Sequence, residues 1–592
     1  MTLTDFLSQR MAKAFEDAGF APTYAVVRVS DRPDLCQFQC NGALATAKTA
    51  KQQPRKIAET IVADLEMHTE YSSVSIAGPG FINIDLSDTL IVSRLSALAK
   101  SGDMAEWKTP SAQMILVDYG GPNIAKPLHV GHLRSAIIGE ALKNLLRLVG
   151  HSVIGDIHLG DWGLPMGQLI SEIESEQPDL VYFDQNFTGP YPDDPPFTLA
   201  DLERLYPQAS AACKESAKRA EIAKAATTEL QNGRPGYRAL WRHFIDVSRA
   251  AIEREYADLG VSFDLWKGES DAHPFIENVS TILRDKGLSV IDDGAEIVPV
   301  ARDDDTKEIP PLILFKSDGS VLYGTTDLAT IFDRVQTHKP DSILYVVDQR
   351  QSLHFEQVFR TASSAGLINE DQLEHIGFGT MNGKDGKPFK TRSGGVLKLR
   401  DLIDMVDERA KERLEESGFA KGLNADEAET IARKVGVSAL KFADLSNPRT
   451  TDYIFDLDRF LAFEGKTGPY LLYASVRIRS VLEKAGIAAD KQASMLDDTV
   501  FQISSPEERE LSLKLLQCDD VLRSASEKRL PHLLCEHAFS LAQAFSKFYA
   551  AQRIADEENA SLRQSRLAFA ALTGRQLEGL LGILGIDVPE RM

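Results

Sequence analysis

The sequence predicts a multidomain α/β protein whose central domain is a doubly wound, Rossmann-like parallel sheet. The main observation is an order of strand, loop, helix and strand: the apolar run Met114–Tyr119, a glycine- and proline-containing loop at 120–127, a helix to about Val149 and a strand-like run at His151–Ile157. This order is typical of the start of a nucleotide-binding sheet. The second observation is the length, because 592 residues at ~150 per domain give about four domains.

Three structural regions are predicted along the chain. Residues 1–107 form a small α/β domain, residues 108–440 form the sheet domain with an insertion at about 165–310, and residues 441–592 form an α-helical bundle. The predicted stretches are helices at Leu3–Ala18 and Pro54–Glu66 and strands at Tyr24–Val29, Val74–Ile76 and Phe81–Ile84 in the first region, strands at Leu312–Phe315 and Ser342–Val347 where the sheet resumes, and helices at 466–485, 507–530, 533–554 and 564–584 in the last.

Composition excludes several classes of protein. The apolar content of 43% and the charged content of 26% are those of globular proteins rather than disordered ones. There is no run of ~18 apolar residues, which predicts no membrane span. The N-terminus is an acidic amphipathic helix rather than a signal peptide, so we expect a cytoplasmic protein. Five scattered cysteines, with Cys36 and Cys40 lacking a second pair nearby, predict neither a disulfide framework nor a metal site.

The charge distribution is more informative than the net charge. A net charge of −21 argues against nucleic-acid binding. However, the acidic excess is concentrated in residues 111–440, and the two flanks are nearly neutral. The flanks could therefore hold an RNA, although near-neutral flanks are also common in proteins that never touch RNA.

The first chemical motif is the sequence His129-Val130-Gly131-His132, on the first turn of the helix after the first sheet strand. The spacing places both imidazoles on one helix face, at the positive end of the helix, which suits a phosphate. Gly131 allows a flat base to approach the backbone. The alternative is that the two histidines only cap the helix.

The second motif is the segment Lys387–Gly394, within GKDGKPFKTRSGG. Three cations and two hydroxyls on a loop between glycines could close over a leaving pyrophosphate and neutralise it. A solvated basic loop is the alternative. Three further motifs lie at Tyr323–Ala329, at Val347–His354 just past a strand, and at Gly160–Gly163. In these, Asp327 could be a helix N-cap, Tyr323 could belong to the core, and the last motif could be a structural turn.

Taken together, these motifs resemble the class I aminoacyl-tRNA synthetases, because HVGH and KPFKT are similar to the HIGH and KMSKS signatures of that class. The segments DYGGPNIAKPLHVGHLRSAIIGEAL, GDWG, SDGSVLYGTTDLA, YVVDQRQSLHF and FKTRSGG are similar to the arginyl-tRNA synthetase family in particular. The resemblance runs from Asp118 to Met592 through EGKTGPYLLYASVRIRS and IDVPERM, and reaches the first region more weakly through GPGFINIDL.

The resemblance implies a monomeric arginine–tRNA ligase that makes arginyl-AMP from ATP and L-arginine, then transfers arginine to the terminal ribose of tRNA(Arg). ATP would enter as a substrate with Mg²⁺, and no tightly bound cofactor is implied. The implied catalytic residues are His129, His132, Lys126, Lys387 and Lys390. The implied ATP-binding residues are Pro122, Asn123, Ile124, Ala125, Lys126, Pro127, Leu128, His129, Val130, Gly131 and His132.

This chain departs from the family pattern at two places. Pro388 and Phe389 stand where Met and Ser are usual, and Gly121 stands where the family usually has Ser. The chain carries both Lys126 and Lys390, whereas some family members lack the second loop lysine, so we expect the two to be partly redundant.

The resemblance also implies the binding residues for the other two substrates. Those for arginine are Asp118, Asn123, His132, Tyr323, Asp327 and Gln351, which include the acceptors that a planar guanidinium requires. Those for tRNA are Phe81 and Asn83 for a base of the D-loop, and Arg477, Arg479, Lys547 and Arg553 beside aromatic residues for the anticodon.

Two other functions remain open at this point. One is a nucleotidyltransferase that uses the same HxGH fold on a small alcohol or acid. The other is a non-catalytic relative that only binds RNA. The helical C-terminal region and the Tyr323/Asp327 pair count against the first, and intact His129, His132 and Lys390 count against the second.

Overall fold

The computed structural model describes residues 1–387, 389, 397–419 and 421–592. Within them the chain forms two units. The first comprises Met1–Pro110, Glu415–Ser446 and Phe460–Met592, and the second comprises Ser111–Leu414 and Asn447–Arg459. The predicted class, α/β with several structural regions, is confirmed.

The N-terminal part of the first unit is a four-stranded antiparallel sheet, of strand order β1-β2-β4-β3, with helices packed on it. Helix α1 begins where the Thr2 side chain accepts a hydrogen bond from the backbone N–H of Asp5, at 3.1 Å. The elements are α1 (Leu3–Asp17), β1 (Val27–Val29), β2 (Phe38–Cys40), α2 (Gly42–Ala50), α3 (Pro54–Leu65), β3 (Tyr71–Ala77), β4 (Phe81–Leu86) and α4 (Asp88–Ser101).

The second unit is built on a five-stranded sheet, of strand order β12-β11-β5-β6-β7, in which every neighbouring pair is parallel. Its elements are β5 (Met114–Tyr119), α5 (Val130–Leu148), β6 (Ser152–Leu159), α6 (Leu164–Glu176), α7 (Leu199–Glu215), α8 (Ala217–Gln231), α9 (Pro235–Asp258), β7 (Leu265–Gly268), α10 (Glu269–Ala272), α11 (Ile276–Asp285), β8 (Val290–Asp292), β9 (Ala295–Val298), β10 (Leu312–Phe315), α12 (Tyr323–His338), β11 (Ser342–Val346), α13 (Ser352–Ser364), β12 (Leu373–His375), β13 (Met381–Asn382) and α14 (Leu399–Ser417). The predicted Rossmann-like sheet is confirmed, and β5 has the predicted bounds.

Two strands of this unit differ from the sequence prediction. Leu312–Phe315 is not part of the parallel sheet, because it pairs antiparallel with β9 in a separate three-stranded sheet. Its side chains alternate between buried and exposed, as in a strand with one wet face. In contrast, Leu265–Gly268 lies inside the predicted insertion, yet it is an edge strand of the parallel sheet, paired with β6.

The C-terminal part of the first unit is helical, as predicted. The predicted helix at 507–530 is divided in two, with Gln517 between them. The predicted boundary between residues 440 and 441 falls inside a helix. The remaining elements of the chain are α15 (Ala425–Leu445), β14 (Tyr453–Ile454), α16 (Leu457–Phe460), α17 (Gly468–Lys484), α18 (Ala489–Asp498), α19 (Pro506–Leu516), α20 (Cys518–Lys528), α21 (His532–Ala551) and α22 (Ala560–Ile583).

The N-terminal and helical parts of the first unit are joined by buried and partly buried hydrogen bonds. The backbone N–H of Trp107 donates to the Asp519 carboxylate at 2.9 Å, and the Gln576 amide donates to the carbonyl of Met104 at 2.8 Å. Sequence alone indicates two separate flanks, whereas the structure makes them one body.

Candidate active site

The loop between β5 and α5 follows the carboxyl end of β5, where α/β sheets bind ligands. It lies very close to the end of β6: the backbone N–H of Ile124 donates to the carbonyl of Gly160 at 3.1 Å, and the N–H of Gly160 donates to the carbonyl of Pro122 at 3.0 Å. A Cβ on Gly121 would stand 2.1 Å from the carbonyl oxygen of His158. The glycine that replaces the family's serine is therefore required by this close approach.

Ala125 turns the loop through an unusual backbone conformation. Its φ is +59°, a left-handed conformation that is uncommon for a residue with a Cβ, and it is fully buried. Its backbone N–H donates to the hydroxyl of Ser248 on α9, at 2.9 Å. The loop is thus held by β6 on one side and by α9 on the other.

His129 and His132 stack on each other at the start of α5. Their ring centroids are 3.9 Å apart, with an interplanar angle of 31°. The Nδ1 of His129 accepts a hydrogen bond from the N–H of Gly131 at 3.0 Å, and the Nδ1 of His132 accepts one from the N–H of His129 at 3.1 Å. A Cβ on Gly131 would lie 2.8 Å from the His129 ring, so this position needs glycine for the ring to fold over the backbone.

Helix capping and a chemical role are compatible here. Burial, and then the nearby cation of Lys126, lowers the pKa of His129. Burial, and then the neighbouring His129 ring, lowers the pKa of His132 to about 3. Both imidazoles are therefore neutral at pH 7. Because each Nδ1 accepts a backbone hydrogen bond, the single ring proton stands on Nε2, and each ring has an Nε2–H donor to offer.

Two of the three predicted catalytic lysines lie within the described residues. The ammonium of Lys126 stands 4.5 Å from the ring centroid of Tyr206 on α7. Lys387 is exposed in a turn, where its backbone N–H donates to the Asp385 carboxylate at 3.1 Å. Lys390 lies outside the described residues. Phe389, one of the departures from the family pattern, packs edge-on against Phe455 with centroids 5.1 Å apart.

Helix α12 presents Tyr323 and Asp327 in its first two turns. Tyr323 is exposed rather than part of the core, and Leu322 rather than Asp327 is the N-cap, so both structural alternatives for these residues are wrong. The Asp327 carboxylate lies 2.5 Å from Nε2 of His354, and the hydrogen bond with that carboxylate raises the pKa of His354. Gln351 is exposed at the end of the short 3-10 turn before α13.

A carboxylate that sequence reasoning missed belongs to this group. Glu269 directly follows β7, and burial, then the negative charges of Asp161 and Asp327, raise its pKa to about 8. Burial, and then the negative charge of Glu269, raises the pKa of Tyr323. Asp327 thus acts on the pKa of Glu269, and Glu269 acts on the pKa of Tyr323. The available signal was an acid placed directly after the short strand-like run Leu265–Gly268.

Asp118 is already engaged by another residue of the chain. Its carboxylate lies 2.5 Å from the guanidinium of Arg334, which also bonds Asp156 at 2.6 Å. Arg334 and Asp156 are fully buried. Asp118 thus serves an internal arginine, whereas Asn123 is exposed on the loop.

The residues predicted to contact tRNA lie in the first unit. Phe81 is half-buried and Asn83 is 7% exposed on one face of β4, where the Asn83 carbonyl accepts from Gln39 at 2.9 Å. The guanidinium of Arg477 lies over the Tyr549 ring, 4.2 Å from its centroid. A role of this cation and its neighbouring aromatic ring in binding RNA stays a prediction.

The other predicted cations of the helical part differ in how far other residues of the chain already bind them. Arg479 is bound internally: it donates to Glu578 at 2.7 Å and to the carbonyl of Pro589 at 2.9 Å, which ties the C-terminal segment to α17. Lys547 is exposed and pairs with Glu510 at 2.8 Å, and Arg553 is exposed.

No helix in the described part of the chain combines the length and the apolar character needed to cross a membrane.

Comparison with known proteins covers the whole chain. The catalytic-domain model of class I tRNA synthetases (R) matches residues 94–457, the DALR anticodon binding domain matches 471–592, and the arginyl-tRNA synthetase N-terminal domain matches 1–86. Arginine–tRNA ligases of Hyphomonas neptunium and Maricaulis maris are 51% and 50% identical, over 100% of both chains in each case. The crystal structure of arginyl-tRNA synthetase from Plasmodium falciparum matches with a TM-score of 0.83 at 25% identity and covers 100% of both chains.

Proposed function

The chain belongs to the arginine–tRNA ligase family of class I tRNA synthetases, and from that premise we propose which of its residues perform the reaction. An enzyme of this family joins arginine to ATP with loss of pyrophosphate, then transfers arginine from the adenylate to the terminal ribose of its tRNA. The stacked histidine pair is the observation that carries the assignment, because it presents two neutral Nε2–H donors at the carboxyl end of β5.

In the first step the carboxylate of arginine attacks the α-phosphorus of ATP. Charge then grows on the phosphate oxygens and on the leaving pyrophosphate. His129 and His132 donate hydrogen bonds to these oxygens, at a helix N-terminus that already favours anions. Lys126, Lys387 and Lys390 neutralise the pyrophosphate. Mg²⁺ enters with ATP as part of that substrate.

Arginine is selected by the acidic group at the start of α12. The carboxylates of Asp327 and Glu269 accept hydrogen bonds from the guanidinium, and Tyr323 and Gln351 orient its plane. Asn123 holds the amino-acid end. Asp118 is assigned to the internal arginine, because its carboxylate already pairs with Arg334.

The raised pKa of Glu269 makes arginine binding dependent on pH. Below pH 8 this carboxyl carries a proton that the bound guanidinium must displace. The affinity for arginine should therefore rise by about tenfold between pH 7 and pH 8.5. Titration calorimetry in two buffers of different ionisation enthalpy should show proton release on binding.

The variant Glu269→Gln should reduce this proton release. The remaining release would come from His354, because its pKa is raised by the hydrogen bond with Asp327 and falls when the guanidinium binds that carboxylate. The matched control is Glu255→Gln, because burial raises the pKa of Glu255 to about 7 and the charges acting on it, such as Arg400 and Glu203, lie outside the proposed arginine pocket. The control should keep the wild-type pH dependence. If Glu269→Gln binds arginine with unchanged affinity and proton release, Glu269 is not part of the pocket.

The tRNA is bound by the first unit, which holds both predicted contact regions. Phe81 lies on the sheet face of the N-terminal part, and Arg477 with Tyr549 lies among the C-terminal helices. We assign Lys547 and Arg553 to phosphate contacts because both are exposed. Arg479 is instead assigned to holding the C-terminal segment.

The enzyme acts as a monomer in the cytoplasm.

Pyrophosphate exchange with each amino acid, with and without tRNA(Arg), tests the proposed function. Among the amino acids, only arginine should support exchange. It should do so only when tRNA is present, because the bound RNA shifts the pocket to its competent state. The tRNA affinity should fall steeply as salt is raised, whereas arginine affinity should not. Exchange at full rate without RNA would contradict the coupling. Exchange with a small alcohol or acid in place of arginine, or no exchange at all, would support one of the other two functions.

A further inference from the structure

The buried guanidinium of Arg334 lies over a polar row that crosses the central sheet. Tyr345 on β11, Asp118 on β5 and Asp156 on β6 are register partners, so their side chains stand side by side on one face of the sheet. Arg334 donates to both carboxylates and its guanidinium carbon lies 5.5 Å from the centroid of the Tyr345 ring.

Arg334 belongs to the helix that carries the proposed arginine pocket. Asp327 and Arg334 are seven residues apart on α12, which is two turns, so they lie on the same side of the helix about 10 Å apart. Thr330 lies between them on that side, with its hydroxyl 3.5 Å from Nε2 of His158 on β6. One stripe of α12 therefore rests on β5 and β6.

We infer that Arg334 is a positioning residue for arginine selection: by holding Asp118 and Asp156 it fixes α12 on the sheet. Asp118 is followed by one strand residue and then by the loop that leads to the histidine pair. The Arg334–Asp118 bond thus links the helix of the guanidinium pocket directly to the strand of the phosphate loop. It sets the distance between the two ends of the bound amino acid.

The pair of carboxylates of Asp118 and Asp156 is specific for a guanidinium. A planar fork donates to two carboxylates at once, which an ammonium group cannot do in the same geometry. Removal of the side chain leaves two buried carboxylates without their cation, so the site should take up a free guanidinium ion. This inference rests on the proposed assignment of Asp327 and Tyr323 to arginine.

The experiment measures KM for arginine and for ATP in tRNA-dependent exchange, for Arg334→Ala with and without about 10 mM guanidinium chloride. A misplaced pocket should raise KM for arginine by about 100-fold and KM for ATP much less. Added guanidinium should lower the KM of the variant for arginine by at least about tenfold, and this effect should saturate with guanidinium concentration. The wild type should be unchanged or weakly inhibited.

Arg360→Ala is the matched control. Arg360, on helix α13, is also a buried arginine that donates to two carboxylates, those of Asp305 and Glu356. Its loss should not change the ratio of the two KM values, and guanidinium should not alter that ratio. If Arg334→Ala does not fold, Arg334→Lys decides, since it keeps the charge but not the fork and should still raise KM for arginine selectively.

Equal changes in the two KM values for the variant that folds would overturn the inference, as would guanidinium that restores folding but not KM for arginine. These outcomes are separate from failure of the proposed function. If Asp327→Asn has no effect on arginine, the pocket itself is misassigned; if Asp327→Asn has its effect and the Arg334 variants do not, only the positioning role is wrong.

Discussion

Replacing Asp327 by Asn should sharply raise the KM for arginine and leave ATP binding nearly unchanged. The substitution keeps the volume of the side chain but removes the charge that the guanidinium needs. A buried charge that loses its partner costs roughly 2–5 kcal/mol, which is ~30-fold to several-thousand-fold in binding. Exchange kinetics with tRNA present measure both constants.

The same variant should narrow the preference for arginine over citrulline. Citrulline has the shape of arginine without its charge, and in the wild type it would leave the Asp327 carboxylate with His354 as a partner but without the guanidinium. The amide of the variant no longer requires a cation, so the ratio of kcat/KM for arginine to kcat/KM for citrulline should fall. Asp305→Asn is the control, because it removes a carboxylate that pairs with an arginine outside the pocket. An unchanged arginine-to-citrulline ratio would mean that Asp327 only anchors His354.

Replacing His132 by Ala should lower turnover by about 100-fold, or ~3 kcal/mol, with a much smaller effect on substrate binding. The reason is that its Nε2–H donor meets charge that exists only in the transition state. His129→Ala should behave similarly. Single-turnover formation of the adenylate measures the chemical step directly.

Two amide variants separate the roles of the His132 ring. His132→Asn can still accept the hydrogen bond from the backbone of His129 but has no donor at the far end, so it should stay slow. His132→Gln can place an amide N–H near the position of Nε2 and should recover part of the rate. His151→Ala is the control, because the Nδ1 of His151 also accepts a backbone N–H, from Gln113, before the amino end of β6. Near-normal adenylation by His132→Ala would contradict the assignment.

The order of elements around the histidine pair could be predicted from the sequence because it depends on local signals. The apolar run of β5, the glycine-containing loop and the helical spacing of α5 lie within 40 residues, and each has its own pattern. The bounds of β5 are the predicted ones, and those of α1 differ by one residue at the C-terminal end.

The features that sequence could not predict depend on partners far away in the chain. Leu312–Phe315 looks like a sheet strand, but only pairing decides which sheet it joins. Arg479 looks like an RNA contact, and Glu578 on another helix engages it. Glu269 is part of the proposed site because β7 joins the parallel sheet from within a segment that looked like an insertion.

A crystal structure with a non-hydrolysable arginyl-adenylate analogue would show directly which residues bind the guanidinium and the phosphate. We expect the guanidinium to lie between the carboxylates of Asp327 and Glu269. We also expect the Nε2 atoms of His129 and His132 to face the phosphate, and the Arg334–Asp118 ion pair to remain intact. A guanidinium bound to Asp118, with Arg334 displaced from it, would contradict both the pocket assignment and the positioning role of Arg334.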